Sequence, residues 1–158
     1  MPEVEIYTDG GCVNNPGPGG YGVILLHKGH RKELSGGFRR TTNNRMEILA
    51  AIKALEALRS KCRVTIYSDS QYLVNAIEEG WAERWQSNNW QRNRKEKALN
   101  PDLWERLLAL CANHDVHFRW IRGHAGTAEN ERCDELARAA ATGPDPAVDV
   151  QYERSLGP

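Results

Sequence analysis

The sequence lacks a long hydrophobic run, a paired-cysteine motif and an excess of charge of either sign. Its longest apolar runs, such as residues 22–26, are far shorter than the ~20 residues that a membrane-spanning helix requires. Its four cysteines are scattered, and neither a CxxC pair nor a secretory signal accompanies them. We therefore expect reduced thiols, no disulfide framework and a soluble, cytoplasmic protein without a membrane partner.

Charge and length set broad limits on function and domain number. The chain has 21 Lys and Arg residues against 21 Asp and Glu residues, so its formal net charge is zero. This balance neither favours nor excludes a nucleic-acid partner, and the distribution of charge must decide. At 158 residues the chain can form one domain with a well-buried core and is too short for two ordinary domains. A monomer is the default expectation.

The hydrophobic period changes near residue 43 from that of strands to that of helices. Segments 4–9, 21–27 and 31–38 predict three strands, and the short connections between them favour an antiparallel meander. From Asn43 onwards an apolar stripe predicts a long amphipathic helix, with Arg45 off the stripe. The remaining predicted elements are strands at 63–69 and 116–121, helices at 70–79, 101–113 and 127–141, and a tryptophan-rich segment at 81–90.

The later strands are separated by helices, which predicts parallel pairing because a strand–helix–strand unit crosses over to a parallel neighbour. We therefore predict an α/β fold: a mixed five-stranded sheet, antiparallel in its first three strands and parallel in the remainder, flanked by helices. The domain should span residues 1–142. Residues 143–158 lack periodicity and are expected to form a flexible tail.

Two predicted strands end in similar sequences, IYTD at Asp9 and IYSD at Asp69. Because strand side chains alternate between faces, both aspartates have the same phase. In parallel neighbours their carboxylates would lie about 5 Å apart, where they repel each other unless a proton or cation lies between them. This pattern predicts a divalent-metal site, although Asp9 also suits a turn and Asp69 a helix cap.

Glu47 and Asp134 are further candidate ligands on predicted helices. Glu47 has alanines three and four residues ahead of it, so the usual helical ion-pair partner is absent. Asp134 is a weaker candidate because Arg138, four residues on, could pair with it. Either carboxylate could also be a solvated surface charge.

Several long motifs resemble bacterial type 1 ribonuclease H, and the resemblance runs from about residue 4 to residue 141. They are YTDGGCVNNPGPGGYG, TTNNRMEILAAIKALE, YSDSQY, the segment from Trp81 to Trp104, and WIRGHAGTAENERCDELA. The resemblance implies a ribonuclease H fold and an endoribonuclease that hydrolyses the RNA strand of RNA/DNA hybrids. It also implies 5′-phosphate and 3′-hydroxyl products.

By position, the resemblance implies roles for five residues. Asp9, Glu47, Asp69 and Asp134 would hold two Mg²⁺ ions, with Mn²⁺ as a candidate substitute. Two such ions can activate a water on one side of a phosphodiester and stabilise the leaving oxygen on the other. His124 would assist proton transfer or product release, although its ordinary interpretation is an exposed loop histidine.

A basic segment lies within residues 81–101, which the family resemblance identifies as a handle that grips the hybrid. Between residues 84 and 97 five basic residues oppose Glu96, giving a local charge of +4 and leaving −4 on the rest of the neutral chain. Local positive charge of this kind supports phosphate binding. Trp85 and Trp90 interleave with these charges, although Trp85 also suits helix packing. The basic residues are Arg84, Arg92, Arg94, Lys95 and Lys97.

The resemblance also assigns polar residues to the hybrid itself. Discrimination of RNA from DNA needs groups that read the 2′-hydroxyl in a wide, shallow minor groove. Arg40 and Thr42 would hold a DNA-strand phosphate, and Arg84 stands where the family often has asparagine in the phosphate pocket. The groove-lining set is Cys12, Asn15, Asn43, Asn44 and Gln71.

Two alternatives remain at the level of sequence. Integrases, transposases and junction resolvases also place acids at these strand ends, so the carboxylates alone do not separate the activities. A noncatalytic hybrid-binding module is the other alternative. The handle and the asparagine and glutamine set favour the hybrid nuclease.

Overall fold

The computed structural model describes residues 1–157 and contains one mixed sheet. Its strands are β1 (Glu3–Cys12), β2 (Gly17–His27), β3 (His30–Thr41), β4 (Arg63–Ser68) and β5 (Asp115–Trp120). They lie in the order β3-β2-β1-β4-β5. The first three pair antiparallel, whereas β4 pairs parallel with both β1 and β5. The predicted mixed sheet is therefore confirmed.

Six helices accompany the sheet in residues 1–157. They are α1 (Asn43–Glu56), α2 (Gln71–Glu78), α3 (Trp81–Ser87), α4 (Pro101–Ala112), α5 (Ala128–Ala141) and α6 (Val150–Ser155). None of these helices is both long enough and apolar enough to cross a membrane. The first three strands are longer than predicted: β1 extends to Cys12, β3 extends to Thr41, and β2 begins at Gly17 within a proline- and glycine-rich segment.

The core lies between the sheet and the helices α1, α2 and α4. Ile6 and Ile66 of the central strands are fully buried there with Ile48 and Ile52 of α1. Burial of each such side chain contributes roughly 1.5–3 kcal/mol. The alternation of buried residues along β1 places the remaining side chains, including Tyr7, on the other face, where α5 packs against β1, β2 and β3. This arrangement leaves the carboxyl ends of β1 and β4 open between α1 and α5.

The expectation of a flexible tail after residue 143 is wrong for residues 147–155. Ala147 exchanges backbone hydrogen bonds with the end of β3, accepting from Arg39 and donating to Gly37, both at 2.9 Å. The helix α6 follows, and its Glu153 accepts two hydrogen bonds from Arg39 at 2.7 and 2.8 Å. The stabilising partners lie on β3, more than 100 positions earlier in the chain, so local composition carried no signal for this packing.

Candidate metal centre and active-site cleft

Asp9 and Asp69 meet at the open end of the sheet because β1 and β4 are parallel and in register. Tyr7 lies opposite Tyr67 in this pairing, and their rings stack with centroids 4.8 Å apart. The aspartates, two residues beyond each tyrosine, therefore reach the same edge. Asp69 is not the cap of α2, since Ser70 fills that position and its Oγ accepts from Leu73 N at 3.2 Å.

Glu47 joins this pair from the first turns of α1. Gly10 permits the approach, because a Cβ at that position would collide with the backbone of Met46 and Glu47. Ligand atoms of Asp9, Glu47 and Asp69 all lie within 4.8 Å of one another. The Oε2 atom of Glu47 is buried and has no hydrogen-bond partner, which is costly unless a cation or donor satisfies it.

The electrostatics of this carboxylate cluster (Asp9, Glu47 and Asp69) favour a bound cation. Burial, and then the negative charge of Asp69, raise the pKa of Asp9 to about 7. Burial likewise raises the pKa of Glu47 well above its ordinary value, and the charges of Asp9 and Asp69 add to the effect. Among residues 1–157, no lysine or arginine forms an ion pair with any of the three. Within residues 1–157, no Lys or Arg side chain is therefore paired with the cluster to balance its negative charge.

Asp134 lies beside this cluster on α5, which is held to β1 where Cys133 Sγ donates to Tyr7 O at 3.3 Å. Its charge contributes to the raised pKa of Asp9. Asp134 itself pairs with Arg138, with Nε 3.1 Å from Oδ2, as the sequence allowed. In this conformation Asp134 is not one of the three mutually close ligands.

A cleft of about 630 Å³ unites the predicted acids with His124. His124 is exposed and has a left-handed backbone, with φ of 56°, in the loop after β5. Sequence reasoning did not identify Gly123 as important, yet a Cβ there would lie 2.7 Å from Asp69 Oδ2. The cleft is lined by Asp9, Gly10, Gly11, Cys12, Val13, Asn43, Asn44, Glu47, Asp69, Ser70, His124, Asp134, Ala137, Arg138 and Ala141.

Polar residues at the rim of the cleft are linked to one another. Cys12 N donates to Asn43 Oδ1 at 2.8 Å, and Asn43 N donates to Asn15 Oδ1 at 3.1 Å. These bonds use the amide oxygens and leave the side-chain NH₂ groups of both asparagines free to donate to a ligand. Asn44 and Gln71 are also exposed near this rim. Arg40 is exposed, and Thr42 caps α1 by accepting from Arg45 N at 3.2 Å.

The handle combines a packed aromatic base with an exposed basic loop. Trp85 lies in an aromatic cluster, with its ring centroid 6.2 Å from that of Trp104, and Trp90 also packs against the core. Packing against the core therefore explains why much of each of these two side chains is buried. Arg84 donates from Nη1 to Glu79 O at 3.0 Å at the end of α2, which occupies one of its five donors. Four further basic residues are exposed: Arg92, Arg94, Lys95 and Lys97.

Comparison with known proteins identifies the family. The family model described as RNase H matches residues 1–142. A protein named Ribonuclease H from Syntrophus aciditrophicus (strain SB) is 69% identical over 150 residues, covering 95% of this chain and 87% of the relative. The crystal structure of LC9-RNase H1, described as a type 1 RNase H with the type 2 active-site motif, matches with a TM-score of 0.80 and 32% identity. The alignment covers all of this chain and 82% of the LC9-RNase H1 chain.

The fold is also shared with a nucleic-acid complex. The crystal structure of LC11-RNase H1 in complex with RNA/DNA hybrid aligns with a TM-score of 0.64 and 24% identity, covering 94% of this chain and 99% of that one. At this identity the likeness concerns the fold alone. The family model and the high identity to the Syntrophus protein extend over nearly the whole chain, and on that basis the chain belongs to the ribonuclease H family, the enzymes that hydrolyse the RNA strand of RNA/DNA hybrids.

Proposed function

We propose that this chain hydrolyses the RNA strand of RNA/DNA hybrids with two Mg²⁺ ions held by Asp9, Glu47, Asp69 and Asp134. The observation that carries the proposal is the convergence of Asp9, Glu47 and Asp69 within 4.8 Å. Carboxylate oxygens are the ligands that Mg²⁺ prefers. The unpartnered Oε2 of buried Glu47 supports the fit, since a divalent ion would satisfy it.

The bound ions would supply Lewis acidity toward phosphate oxygens and water, as in other two-metal phosphodiesterases. The chain's own residues position the substrate. Asp9, Glu47 and Asp69 would hold the ions at the sheet edge, and Asp134 would join them by exchanging its contact with Arg138. His124 stands exposed on the cleft, where a ring nitrogen can accept or release a proton as the 5′-phosphate and 3′-hydroxyl products leave.

Residues at the rim of the cleft and in the handle would select the hybrid. The free amide donors of Asn15 and Asn43 suit 2′-hydroxyls of the RNA strand, which accept hydrogen bonds in the shallow minor groove. We assign Cys12, Asn44 and Gln71 to the same groove. Arg40, Thr42 and Arg84 are assigned to DNA-strand phosphates, and the exposed handle cations to the duplex backbone.

We further propose that the chain acts as a monomer in the cytoplasm. Its four cysteines are all free, which suits a reducing compartment.

A cleavage assay on three substrates tests the proposed function. We expect hydrolysis of an RNA/DNA hybrid with Mg²⁺, no hydrolysis with EDTA, and little action on duplex RNA or duplex DNA. End-group analysis should find 5′-phosphates on the RNA products. Absence of hybrid cleavage with either Mg²⁺ or Mn²⁺ would contradict the proposal, and preferential cleavage of duplex DNA would favour the resolvase-like alternative.

A further inference from the structure

A buried arginine joins the start of α1 to the C-terminal segment. Only 5% of the Arg45 side chain is exposed. Its Nε and Nη2 donate to the two carboxylate oxygens of Asp149 at 2.7 and 3.0 Å. Its Nη1 and Nη2 donate to the two oxygens of Asp102 at 2.9 and 2.7 Å. One guanidinium is therefore held by two bidentate carboxylates, the strong and geometrically specific form of this interaction.

This network connects three parts of the chain that are distant in sequence: residues 41–45, residues 100–102 and Asp149. Thr41 Oγ1, at the end of β3, donates to Asp149 Oδ2 at 2.7 Å. Asp102 lies in the first turn of α4, directly after the handle, and Asn100 Oδ1 also accepts from Arg45 at 3.2 Å. The C-terminal segment thus contributes to a cluster beside the first turn of α1, the turn that carries Asn43 and Asn44 of the cleft, although the family model ends at residue 142.

Removal of Asp149 would leave Arg45 with half of its counter-charge. Breaking a buried ion pair by removing one partner is strongly destabilising locally, because the remaining charge must find new partners or water. Arg45 lies in the first turn of α1, immediately after Asn43 and Asn44. Movement of Arg45 toward solvent would therefore displace the two asparagines that we assign to the minor groove.

The metal ligand on the same helix is fixed independently. Glu47 lies where the backbone of α1 is pressed against Gly10, with no space for a Cβ between them. Displacement of the first turn should consequently affect the asparagines more than it affects Glu47. This difference separates an effect on hybrid binding from an effect on the chemical step.

We propose that Asp149 is a positioning residue for hybrid binding: through Arg45 it fixes the first turn of α1, and with it Asn43 and Asn44, against the minor groove. The inference rests on the proposed function, since it assigns the C-terminal segment to that same substrate site. Asp149 does not line the cleft. It also accepts from Thr41 Oγ1 and, as the cap of α6, from Tyr152 N, and its proposed effect on hybrid binding is exerted through Arg45.

Steady-state kinetics of full-length Asp149→Asn on an RNA/DNA hybrid test the proposal. We expect KM to rise about fivefold, which is the effect of losing about one ordinary hydrogen bond between the asparagines and the hybrid. The kcat and the Mg²⁺ concentration for half-maximal rate should stay near the wild-type values. The matched control is Glu153→Gln, which weakens the bond of the same segment to Arg39 but leaves Arg45 untouched. Its KM should equal that of the wild type.

A second variant keeps the proposal testable if Asp149→Asn folds poorly. Asp102→Asn removes the other carboxylate of Arg45 and should raise KM in the same way, with circular dichroism verifying the fold. A KM unchanged in both variants, or raised equally in Glu153→Gln, would overturn the proposal, as would a fall in kcat at constant KM. If the wild type itself fails to cleave hybrid, the proposed function fails instead.

Discussion

Gly123 lies directly against the carboxylate of Asp69: a Cβ at Gly123 would be 2.7 Å from Asp69 Oδ2 and 3.3 Å from its Cβ. The same aspartate is held from the strand side, where Trp120 Nε1 donates to Asp69 O at 3.0 Å. Ile121 N donates to Ser68 O at 2.9 Å and ties the loop after β5 to the end of β4. The loop that carries His124 therefore also restrains one member of the carboxylate cluster.

Gly123→Ala should displace the Asp69 carboxylate and reduce hydrolysis of hybrid by at least about tenfold, because small misplacements of catalytic groups are costly. Thermal stability should change little, since the loop is at the surface. Activity and melting temperature are measured on the same preparation. Gly143→Ala is the control: its Cβ would meet only backbone oxygens of α5, the nearest at 3.2 Å. Full activity in Gly123→Ala would show that Asp69 is not restrained in this way.

Asp9→Asn should abolish hydrolysis and, without metal, raise stability at neutral and higher pH. The folded-state pKa of Asp9 is raised to about 7, first by burial and then by Asp69, so folding favours its protonated form. Stability of the wild type is therefore highest below pH 4 with respect to this group and declines as pH rises toward 7. Asp9→Asn lacks this ionisable group, so its stability should not decline with pH for this reason.

Melting temperatures in EDTA test the pH dependence. At pH 8 we expect Asp9→Asn to melt higher than the wild type by about 10 °C, which corresponds to a few kcal/mol for a chain of this length. The difference should shrink steadily between pH 7 and pH 4. A variant that melts lower than the wild type at pH 8 would instead support a structural role for Asp9 as a turn residue.

Arg138→Gln should strengthen Mg²⁺ binding to the free enzyme by about twofold, the value of an exposed i, i+4 ion pair. The reason is that Arg138 competes for Asp134, with Nε and Oδ2 3.1 Å apart. Isothermal titration with Mg²⁺ measures the change. Arg132→Gln is the matched control on the same helix, because Arg132 pairs with Glu33 and Glu135 and does not line the cleft. Weaker Mg²⁺ binding in Arg138→Gln would contradict the competition.

Replacement of the four exposed handle cations by alanine should raise KM for the hybrid and flatten its salt dependence. Each cation bound to a phosphate adds just under one to the slope of log K against log salt, so removal of all four should reduce the slope by up to about 3.6. The chemical step should be less affected, because these residues are outside the cleft. Measurements of KM at several salt concentrations give the slope. An unchanged slope would show that the handle cations do not bind the substrate. The variant carries Arg92→Ala, Arg94→Ala, Lys95→Ala and Lys97→Ala.

The sequence predicted the central features of the fold and the cluster because both depend on local periodicity. The two-residue period of strands was sufficient to give Asp9 and Asp69 a common phase, and the absence of a helical partner distinguished Glu47. The parallel direction of β4 then follows from the crossover through α1, because β3 runs in the same direction as β1 and a strand–helix–strand connection preserves that direction. These inferences required only neighbours within a few positions along the chain.

The sequence did not predict contacts made across the fold. Arg45 lies off the apolar stripe, as expected of a polar residue, yet it is buried because Asp102 and Asp149 neutralise it from 57 and 104 positions away. No local pattern marks such a pairing. The role of Arg84 in capping α2 and the contact of Gly123 with Asp69 were missed for the same reason, since each depends on the approach of a second segment.

The parallel pairing of β1 with β4 also has a consequence for biosynthesis. A ribosome must complete the chain through β4 before Asp69 can lie beside Asp9, so nascent and unfolded molecules contain the acids without the cluster. During refolding, the onset of cation binding therefore marks the moment at which β4 docks, and a luminescent lanthanide could time that event directly.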